Sequence, residues 1–237
     1  MKKLLLLTAS AVIALSTDAN AQSLEHKGSV EGGLASARGN TDNDNYNGTV
    51  KLDSTYGTVV NEFKASGFNS TQSGTRSGEQ YMVNDTVKKS LDEKQYVFGE
   101  VDWSNDRFAG YSQRTAGIAG YGYKFINEPN VGVSAEVGAG YRQTDYIPTT
   151  IEDEESAVGK VGGNLSWKIN EHVEFGQDAS VVFGEENVVT ASETSVKTFL
   201  DEALYLKFAY NYENMSEVPP GRKNTDTLTT FSVGYDF

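Results

Sequence analysis

The amino-acid sequence predicts an all-β protein, a closed antiparallel transmembrane β-barrel of about 12 strands. Apolar residues recur at every second position along most of the 237-residue chain, and no later stretch sustains the spacing of three and four that marks an amphipathic helix. The connections between the alternating stretches are short and long in turn, and large aromatic residues lie near the ends of these stretches. These three features together are typical of bacterial outer-membrane barrels.

The chain begins with the three regions of a cleaved secretory signal peptide. Two lysines form a basic start, an apolar run ends at Leu15, and an Ala-Asn-Ala cleavage site follows. The apolar run is shorter than the roughly 20 residues that a membrane-spanning helix needs. We therefore expect residues 1–21 to be a signal peptide for export through the Sec pathway, and residues 22–237 to form one outer-membrane barrel domain.

The composition argues against several classes of protein. The chain has no cysteine, two histidines and a formal net charge of −13. Without cysteine there is no disulfide scaffold, thiol nucleophile or thiolate metal site, and two histidines leave few ligands for zinc or iron. The acidic balance argues against nucleic acid as a partner, because phosphate backbones attract cationic surfaces. We expect neither a cofactor nor a metal site.

Strands follow from the alternation, because successive side chains of a strand point to opposite faces. In "LYLKFAYNYE", residues 204–213, one parity carries only Leu, Phe and Tyr, and the other carries Tyr, Lys, Ala, Asn and Glu. The same alternation predicts twelve strands, near residues 26–38, 45–56, 58–69, 78–88, 95–105, 112–125, 130–142, 157–169, 172–184, 190–200, 201–213 and 225–237. The alternation is irregular in the third, fourth and tenth of these strands, so their registers stay open.

The connections predict which strand ends lie together. "YGT", "SLDEK", "INEPN", "INE" and "DE" are tight, whereas "STQSGTRSG", "NDRFAGY", "DYIPTTIEDEES" and "NMSEVPPGRKN" are longer. Outer-membrane barrels have short periplasmic turns and longer external loops. An even number of strands then brings both ends of the barrel domain to the short-turn rim.

Aromatic residues near the strand ends predict two membrane-interface girdles. If the strands run up and down in turn, Trp103 and Tyr141 lie near the long-loop rim, and Tyr56, Phe125 and Trp167 lie near the short-turn rim. A secreted soluble β-sandwich or lipocalin-like barrel binding module would share the alternation, with its apolar set buried. A soluble core gives no reason to sort aromatic rings to strand ends, so we favour the membrane barrel.

The last predicted strand ends on an aromatic residue. Phe231, Val233, Tyr235 and Phe237 alternate with polar or small residues and would face lipid. This pattern matches the membrane-insertion signal that the bacterial barrel-assembly machinery recognises, so we expect that machinery to be a partner during insertion. We expect a monomer in the outer membrane of a Gram-negative bacterium, in contact with lipids and lipopolysaccharide.

Several motifs resemble those of a known bacterial family. "GLASARGNTD", "NDRFAGY", "GYGYKF", "GAGYR" and "SEVPPGRKNTDTLTTFSVGYDF" are similar to segments of the YdiY-like family of salt-induced outer-membrane proteins. The similarity runs over essentially the whole exported chain, and its most specific part lies between Pro219 and Thr227. The resemblance implies an outer-membrane location and an association with osmotic or salt stress. It implies no reaction.

Charged residues on the parity opposite to the lipid-facing one predict the character of the interior. Pairing the hairpins about their turns puts Asp102 roughly opposite Arg114, with Arg142 beside it and Lys160 on the next strand. Acidic residues of the same parity are Glu31, Glu174, Asp178, Glu193, Glu213 and Asp226. The hairpin pairing predicts that Lys168 faces Glu174 and that Lys197 lies near Asp178. The charges either brace the wall as matched pairs, or set up a field that selects small solutes by charge across a water-filled constriction.

These observations predict a passive role and no enzymatic activity. The protein would act as a narrow pore for small solutes or ions, or as an envelope-stabilising barrel. The enzymatic alternative, a surface hydrolase, would need a histidine beside its serine. His26 and His172 both map to the periplasmic rim, and neither a G-x-S-x-G nor an H-E-x-x-H motif occurs.

Overall fold

The structure is a computed structural model that describes residues 23–38, 43–72, 75–147, 152–185, 187–218 and 220–237. Within these ranges, twelve antiparallel strands form one closed barrel, in which each strand pairs with its neighbours in sequence and β1 pairs with β12. The strands are β1 (Leu24–Arg38), β2 (Asn43–Tyr56), β3 (Val59–Gln72), β4 (Thr75–Ser90), β5 (Gln95–Asp106), β6 (Tyr111–Asn127), β7 (Val131–Tyr146), β8 (Glu154–Asn170), β9 (Val173–Phe183), β10 (Val188–Phe199), β11 (Leu204–Met215) and β12 (Thr225–Asp236). The predicted fold class is confirmed.

The two faces of the barrel wall differ in character, as the alternation predicts. In β5, Tyr96, Phe98 and Glu100 are buried in the interior, whereas Val97 and Val101 on the alternate parity are exposed. The strands contain 11 to 17 residues. A tilted strand needs about 9–11 residues to cross the hydrocarbon layer, so each is long enough. Among the described residues, no helix is long and apolar enough to span a membrane.

The two rims differ in their connections. Turns of two to four residues join β2 to β3, β4 to β5, β6 to β7, β8 to β9 and β10 to β11. On the other rim, the predicted loop "STQSGTRSG" is mostly strand, because β3 continues to Gln72 and β4 begins at Thr75. Polar residues can pair as a hairpin in water beyond the membrane, and the apolar alternation does not mark where such a hairpin ends.

Pairing between the first and last strands closes the barrel. Their register runs from Ser29 opposite Asp236 to Arg38 opposite Thr227. Gly28 and Phe237 exchange two backbone hydrogen bonds of 2.8 Å at the short-turn rim. Residues 1–22 lie outside the described part of the chain, so the signal peptide stays a prediction.

Several landmark residues recur in strands β1–β6 and β7–β12, on strands that lie six places apart. A Leu-Asp-Glu turn precedes both β5 and β11, at residues 91–93 and 200–202. A Gly-Tyr-x-Phe segment lies near the end of both β6 and β12, at residues 122–125 and 234–237. The two halves of the barrel therefore share landmarks that align their registers.

The two Leu-Asp-Glu turns have the same hydrogen bonds. The Asp92 carboxylate accepts bonds from the backbone amides of Lys94, at 2.8 Å, and Gln95, at 2.7 Å. Asp201 accepts bonds of 2.8 and 2.6 Å from the amides two and three residues further on. Because these amides stabilise the charged carboxylate, the pKa of each aspartate is lowered below its ordinary value.

A tyrosine packed over a glycine recurs in both halves. Tyr96 lies opposite Gly122, and Gly122 lies opposite Glu136 on the next strand. The Tyr96 hydroxyl donates a 2.9 Å hydrogen bond to Glu136. A side chain at Gly122 would overlap the Tyr96 ring, so the position requires glycine. The register pairs Tyr205 with Gly234 and Gly234 with Glu31 in the same way, and Tyr205 donates a 3.1 Å hydrogen bond to Glu31.

Candidate functional site

One wall of the interior is filled by apolar side chains. Tyr96, Phe98, Ile118 and Val158 form a buried cluster on β5, β6 and β8, and Val182 packs against it. These large side chains fill part of the lumen. Short polar residues at the same positions would leave that space to water. The open part of the interior is therefore displaced toward the opposite wall.

A cavity of about 600 Å³ occupies that remaining part of the interior. Eight acidic residues and five lysines are among the residues that line it: Glu31, Glu62, Asp106, Glu136, Asp178, Glu193, Glu213, Asp226, Lys51, Lys64, Lys88, Lys160 and Lys207. A second cavity of about 220 Å³ lies toward the short-turn rim and shares the side chains of Glu62 and Lys88 with the first. The lining of the larger cavity is thus polar and predominantly acidic.

Two of the ion pairs among the described residues join strands on opposite sides of the barrel. Lys64 on β3 lies 3.3 Å from Glu193 on β10, and Arg114 on β6 lies 3.6 Å from Glu213 on β11. In each pair the two strands are five apart in a ring of twelve, so the side chains reach across the lumen rather than along its wall. Both pairs narrow the space that a solute could use.

A cluster of one lysine and two glutamates lies where the two cavities meet. Lys88 contacts Glu62 at 2.8 Å and Glu136 at 3.5 Å. Lys88 also lies over the Tyr96 ring, 5.6 Å from its centroid. This cluster restricts the lumen at the level of the tyrosine and glycine packing described above.

A buried ion pair connects the wall with the long-loop rim. Arg142 donates a 2.9 Å hydrogen bond to Glu154 and a 3.1 Å hydrogen bond to the carbonyl of Asn187. Glu154 also accepts bonds of 2.9 Å from the hydroxyls of Tyr146 and Ser156. Only 3% of the Arg142 side chain and 5% of the Glu154 side chain are exposed. The pair therefore fixes the rim and presents no free charge to a solute.

Apolar packing completes this rim. Ala109, Tyr111 and Met215 are buried together, and Val189 and Val218 pack against them. The guanidinium of Arg114 stacks over Tyr111 at 4.2 Å from the ring centroid, which holds that side chain beneath the cluster. The rim over this side of the barrel is thus a packed cap built from strand ends and loops.

The four residues of the predicted charge row all face the interior, but each has a separate partner. Asp102 lies opposite Ala116, and Arg114 lies two residues away, opposite Ser104. One residue of this offset arises because the hairpin closes with Asp106 opposite Tyr111, and the other arises at the bulge between Ser104 and Asp106. Asp102 instead accepts a 2.7 Å hydrogen bond from Asn84. Lys160 pairs with Glu100 at 2.5 Å. Arg114 pairs with Glu213 and Arg142 with Glu154, so each of the four residues has its own polar partner. Whether the interior charges also select solutes stays a prediction.

Two other predicted interior pairs have different outcomes. Lys168 lies 3.5 Å from Glu174, as the hairpin pairing predicts. The expectation that Lys197 lies near Asp178 is wrong, since Lys197 lies 3.6 Å from Asp236 on β12. The reason is that an interior side chain can reach two strands away, whereas hairpin pairing considers only the adjacent strand.

The sequence reasoning missed three interior lysines, Lys51, Lys64 and Lys207. All three share the interior parity of their strands and line the larger cavity. They could have been found by assigning every charge in β2, β3 and β11 to a face. The repeated Leu-Asp-Glu and Gly-Tyr-x-Phe segments were a second unused signal, because a search for internal repeats would have aligned the two halves.

The aromatic side chains of the predicted girdles lie on the outer parity. Phe125, Tyr141 and Trp167 are exposed, and Tyr56 and Trp103 are half-buried. The four side chains of the proposed insertion signal, Phe231, Val233, Tyr235 and Phe237, are also exposed. Their positions are compatible with contact with lipid. The placement of the girdle residues at the membrane interfaces stays a prediction, and so does recognition of the last strand by the barrel-assembly machinery.

Neither histidine belongs to a recognisable catalytic arrangement. The imidazole Nδ1 of His26 lies 2.9 Å from the Ser54 hydroxyl at the short-turn end of the barrel. Within the described ranges, no carboxylate is hydrogen-bonded to the other nitrogen of this ring. His172 lies in the turn between β8 and β9. In the same part of the chain, no group of three or more His, Asp or Glu residues is placed to hold a metal ion.

A closed barrel with an apolar outer face, a charged interior and short turns on one rim defines a transmembrane β-barrel of the outer-membrane type. The fold is similar to that of the NanC porin, with a TM-score of 0.60, 11% identity, and coverage of 88% of this chain and 98% of that chain. It is also similar to an outer-membrane channel from Pseudomonas putida F1, with a TM-score of 0.54, 13% identity, and coverage of 94% and 99%.

The chain belongs to the DUF481 family, whose description is "protein of unknown function" and whose profile matches residues 30–237. It is 34% identical to the uncharacterized protein YdiY of Escherichia coli strain K12 over 168 residues, or 70% of this chain. The matched region spans 66% of that relative's length, just under two thirds. The family resemblance predicted from the motifs is confirmed.

Proposed function

We propose that this protein is a narrow, passive outer-membrane pore for small hydrophilic solutes or ions. The observation that carries the proposal is the cavity of about 600 Å³, lined by charged residues, inside a closed barrel. The proposal includes the location in a Gram-negative outer membrane, insertion by the barrel-assembly machinery, action as a monomer and the absence of an enzymatic role. A function under osmotic or salt stress is supported only by the resemblance to the YdiY-like family.

The strand number supports a restricted pore. Barrels of about eight strands are filled by side chains, whereas barrels of about sixteen enclose an aqueous channel, so twelve strands are intermediate. Here the apolar cluster around Phe98 fills one side and leaves an eccentric passage on the other. The ion pairs between Lys64 and Glu193 and between Arg114 and Glu213 cross this passage. We expect small conductance steps and exclusion of large solutes.

The charge of the lining supports a preference for cations. Eight acidic side chains and five lysines line the larger cavity. A low-dielectric wall carrying excess negative charge concentrates cations and repels anions. We expect the reversal potential in a potassium chloride gradient to show permeation of potassium over chloride.

The packed rim favours a second candidate function, an envelope-stabilising barrel without conduction. The buried pair of Arg142 and Glu154 and the apolar cluster around Tyr111 restrict the external mouth on one side. If this cap covers the passage completely, the barrel would contribute only mechanical or permeability-barrier stability. The two functions differ in whether ions cross the purified protein.

Single-channel recording of the refolded protein in planar bilayers tests the proposal. The expected result is stepwise, cation-selective current. Because the Lys64 side chain crosses the lumen, Lys64→Ala should raise the unitary conductance by roughly half or more. Lys168→Ala is the control, since Lys168 lies at the rim with 63% of its side chain exposed. Absence of current steps at every salt concentration would reject the pore and leave the stabilising barrel.

A further inference from the structure

Three lysines gather around two glutamates in the middle of the lumen, and we call Lys51, Lys64, Lys207, Glu31 and Glu193 the lysine cluster. Lys207 contacts Glu193 at 3.0 Å and Glu31 at 3.5 Å. Lys64 contacts Glu193 at 3.3 Å. Lys51 makes no ion pair within the described part of the chain. The cluster therefore has three cations and two carboxylates, with one positive charge unmatched.

The arrangement of Lys51 and Lys64 brings two like charges together. The two residues lie directly opposite each other on β2 and β3. Like charges at directly opposed positions of antiparallel strands destabilise the pair. Glu193 is bonded to Lys64 and Lys207 and so cannot give Lys51 an ion pair of its own. An additional negative group in the cavity would offset the repulsion.

The other half of the barrel shows that the wall does not need these lysines. Aligning the registers on the two tyrosine and glycine pairs places Asn164 at the position of Lys51, Asp178 at that of Lys64, and Phe98 at that of Lys207. Asn164 donates a 2.7 Å hydrogen bond to Asp178. The second half of the barrel therefore has an amide and a carboxylate at the two positions where the first half has two lysines.

The halves thus agree at the framework and differ at the lumen. The glutamates, tyrosines and glycines that pack the wall are the same in both, and a lysine lies over the tyrosine ring in each, Lys88 over Tyr96 and Lys197 over Tyr205. The three lysines depart from this shared framework only where the wall meets the cavity. This placement indicates a role toward the contents of the lumen.

Neutral hydrogen-bonding groups accompany the cations. Thr49, Ser66, Thr230 and Asn47 line the same cavity. Ammonium groups form strong, charge-assisted hydrogen bonds with carboxylates, and hydroxyl and amide groups can bond the polar remainder of a ligand. One unmatched positive charge suits a singly charged anion. A phosphate group, which carries more negative charge, would be repelled by the surrounding carboxylates.

We propose that the lysine cluster is a binding site for the carboxylate of a small, hydroxyl-rich organic acid. The proposal rests on the proposed function in one respect, since such a solute must enter the lumen. In this site Lys51 binds the carboxylate of the ligand directly. Lys64 and Lys207 contact the same carboxylate while they keep their ion pairs with Glu193. Small organic anions would bind transiently in a passage whose overall preference is for cations.

Gluconate and glucose form a suitable pair of probes, because they have similar size and hydroxyl content and differ in the carboxylate. Binding to the refolded protein in detergent at low salt is measured by saturation-transfer NMR and calorimetry. We expect gluconate to bind at least tenfold more tightly than glucose. Lys51→Gln should weaken gluconate binding about tenfold or more, and Lys51→Arg should retain it. Lys168→Gln, at the short-turn rim, should leave it unchanged.

Each outcome bears on the proposal. Equal affinity for gluconate and glucose, tighter binding of inorganic phosphate than of gluconate, or an unchanged affinity in Lys51→Gln would overturn it. The folded state of each variant is checked by its resistance to unfolding in dodecyl sulfate without heating. If Lys51→Gln does not fold, Lys64→Gln replaces it, with the same expected loss.

Bilayer recording separates this inference from the proposed pore. If the protein conducts and gluconate interrupts the current in the wild type but not in Lys51→Gln, both stand. Conduction without lysine-dependent gluconate binding rejects the binding site alone. Gluconate binding that depends on Lys51 without any conduction rejects the pore and retains the site.

Discussion

Replacing Arg142 tests whether the long-loop rim is held by a buried ion pair. In Arg142→Met the methionine preserves much of the apolar stem and removes the guanidinium. Glu154 then remains buried, with only the hydroxyls of Tyr146 and Ser156 as donors. Removing one partner of a buried ion pair typically costs about 3–5 kcal/mol. Because two donors to Glu154 remain, we expect a loss at the lower end, about 3 kcal/mol.

A double-mutant cycle assigns this loss to the pair itself. Arg142→Met, Glu154→Gln and the double variant are unfolded in urea from detergent micelles, with tryptophan fluorescence as the signal. We expect a coupling free energy of at least about 1.5 kcal/mol, because the double variant leaves no buried charge uncompensated. The matched control is the same cycle at Lys168 and Glu174, a rim pair with exposed fractions of 63% and 32%. That cycle should give about 0.5 kcal/mol or less.

Additive effects at Arg142 and Glu154 would refute the reasoning. They would mean that the arginine acts through its hydrogen bond to the Asn187 carbonyl, or that water replaces it without cost. Because Arg142 is buried, we expect Arg142→Met to change the stability of the protein and to leave its ion selectivity unchanged. If Arg142→Met shifts the reversal potential in the bilayer while the unfolding free energy is unchanged, then Arg142 faces the solute path and the packed rim is an incorrect description.

The tyrosine and glycine packing and the aspartate turns give two further predictions. Gly122→Ala should lower the unfolding free energy by about 1–3 kcal/mol, because the new methyl group overlaps the Tyr96 ring. Gly99→Ala, whose methyl group would meet open space, is the control, and equal urea midpoints for the two variants would contradict the packing. The lowered pKa of Asp92 means that its carboxylate stabilises the turn above the ordinary aspartate pKa, and that this contribution disappears as pH falls through the folded-state value. Asp92→Asn should therefore lower the urea midpoint at about pH 7 and have little effect at about pH 2, and a difference that does not change with pH would exclude this mechanism.

Strand positions were predictable because side-chain alternation is a local property. β5 was expected near residues 95–105 and extends over Gln95–Asp106. β12 was expected near 225–237 and extends over Thr225–Asp236. In the central part of β5 and in β12 from Phe231 onward, apolar residues or glycine occupy every second position. Apolar side chains on the outer face of a membrane barrel contact lipid. The alternation of apolar residues in one strand is therefore enough to predict the strand and its lipid-facing side, and the neighbouring strands need not be known.

The registers of the third, fourth and tenth strands needed the tertiary structure. Asn61 on β3 and Asp85 on β4 lie on the outer parity and form a 2.5 Å hydrogen bond with each other. Thr194 on β10 donates a 2.5 Å hydrogen bond to Gln177 on β9 in the same way. A polar side chain on the outer face is tolerated when a neighbouring strand supplies its partner. The apolar alternation is interrupted at such positions. The sequence of one strand does not show that a residue on the adjacent strand forms a hydrogen bond with the polar side chain.

The sequence by itself determined the approximate number of strands, the two faces of the regularly alternating strands, the short-turn rim and the family. Only the tertiary structure decided which charges meet across the lumen, as the pairs of Lys64 with Glu193 and Arg114 with Glu213 show. Strand alternation depends on the geometry of a single extended chain, which repeats every two residues. Contacts across a closed lumen depend on how many strands close the ring and on their stagger, and these are properties of the whole barrel.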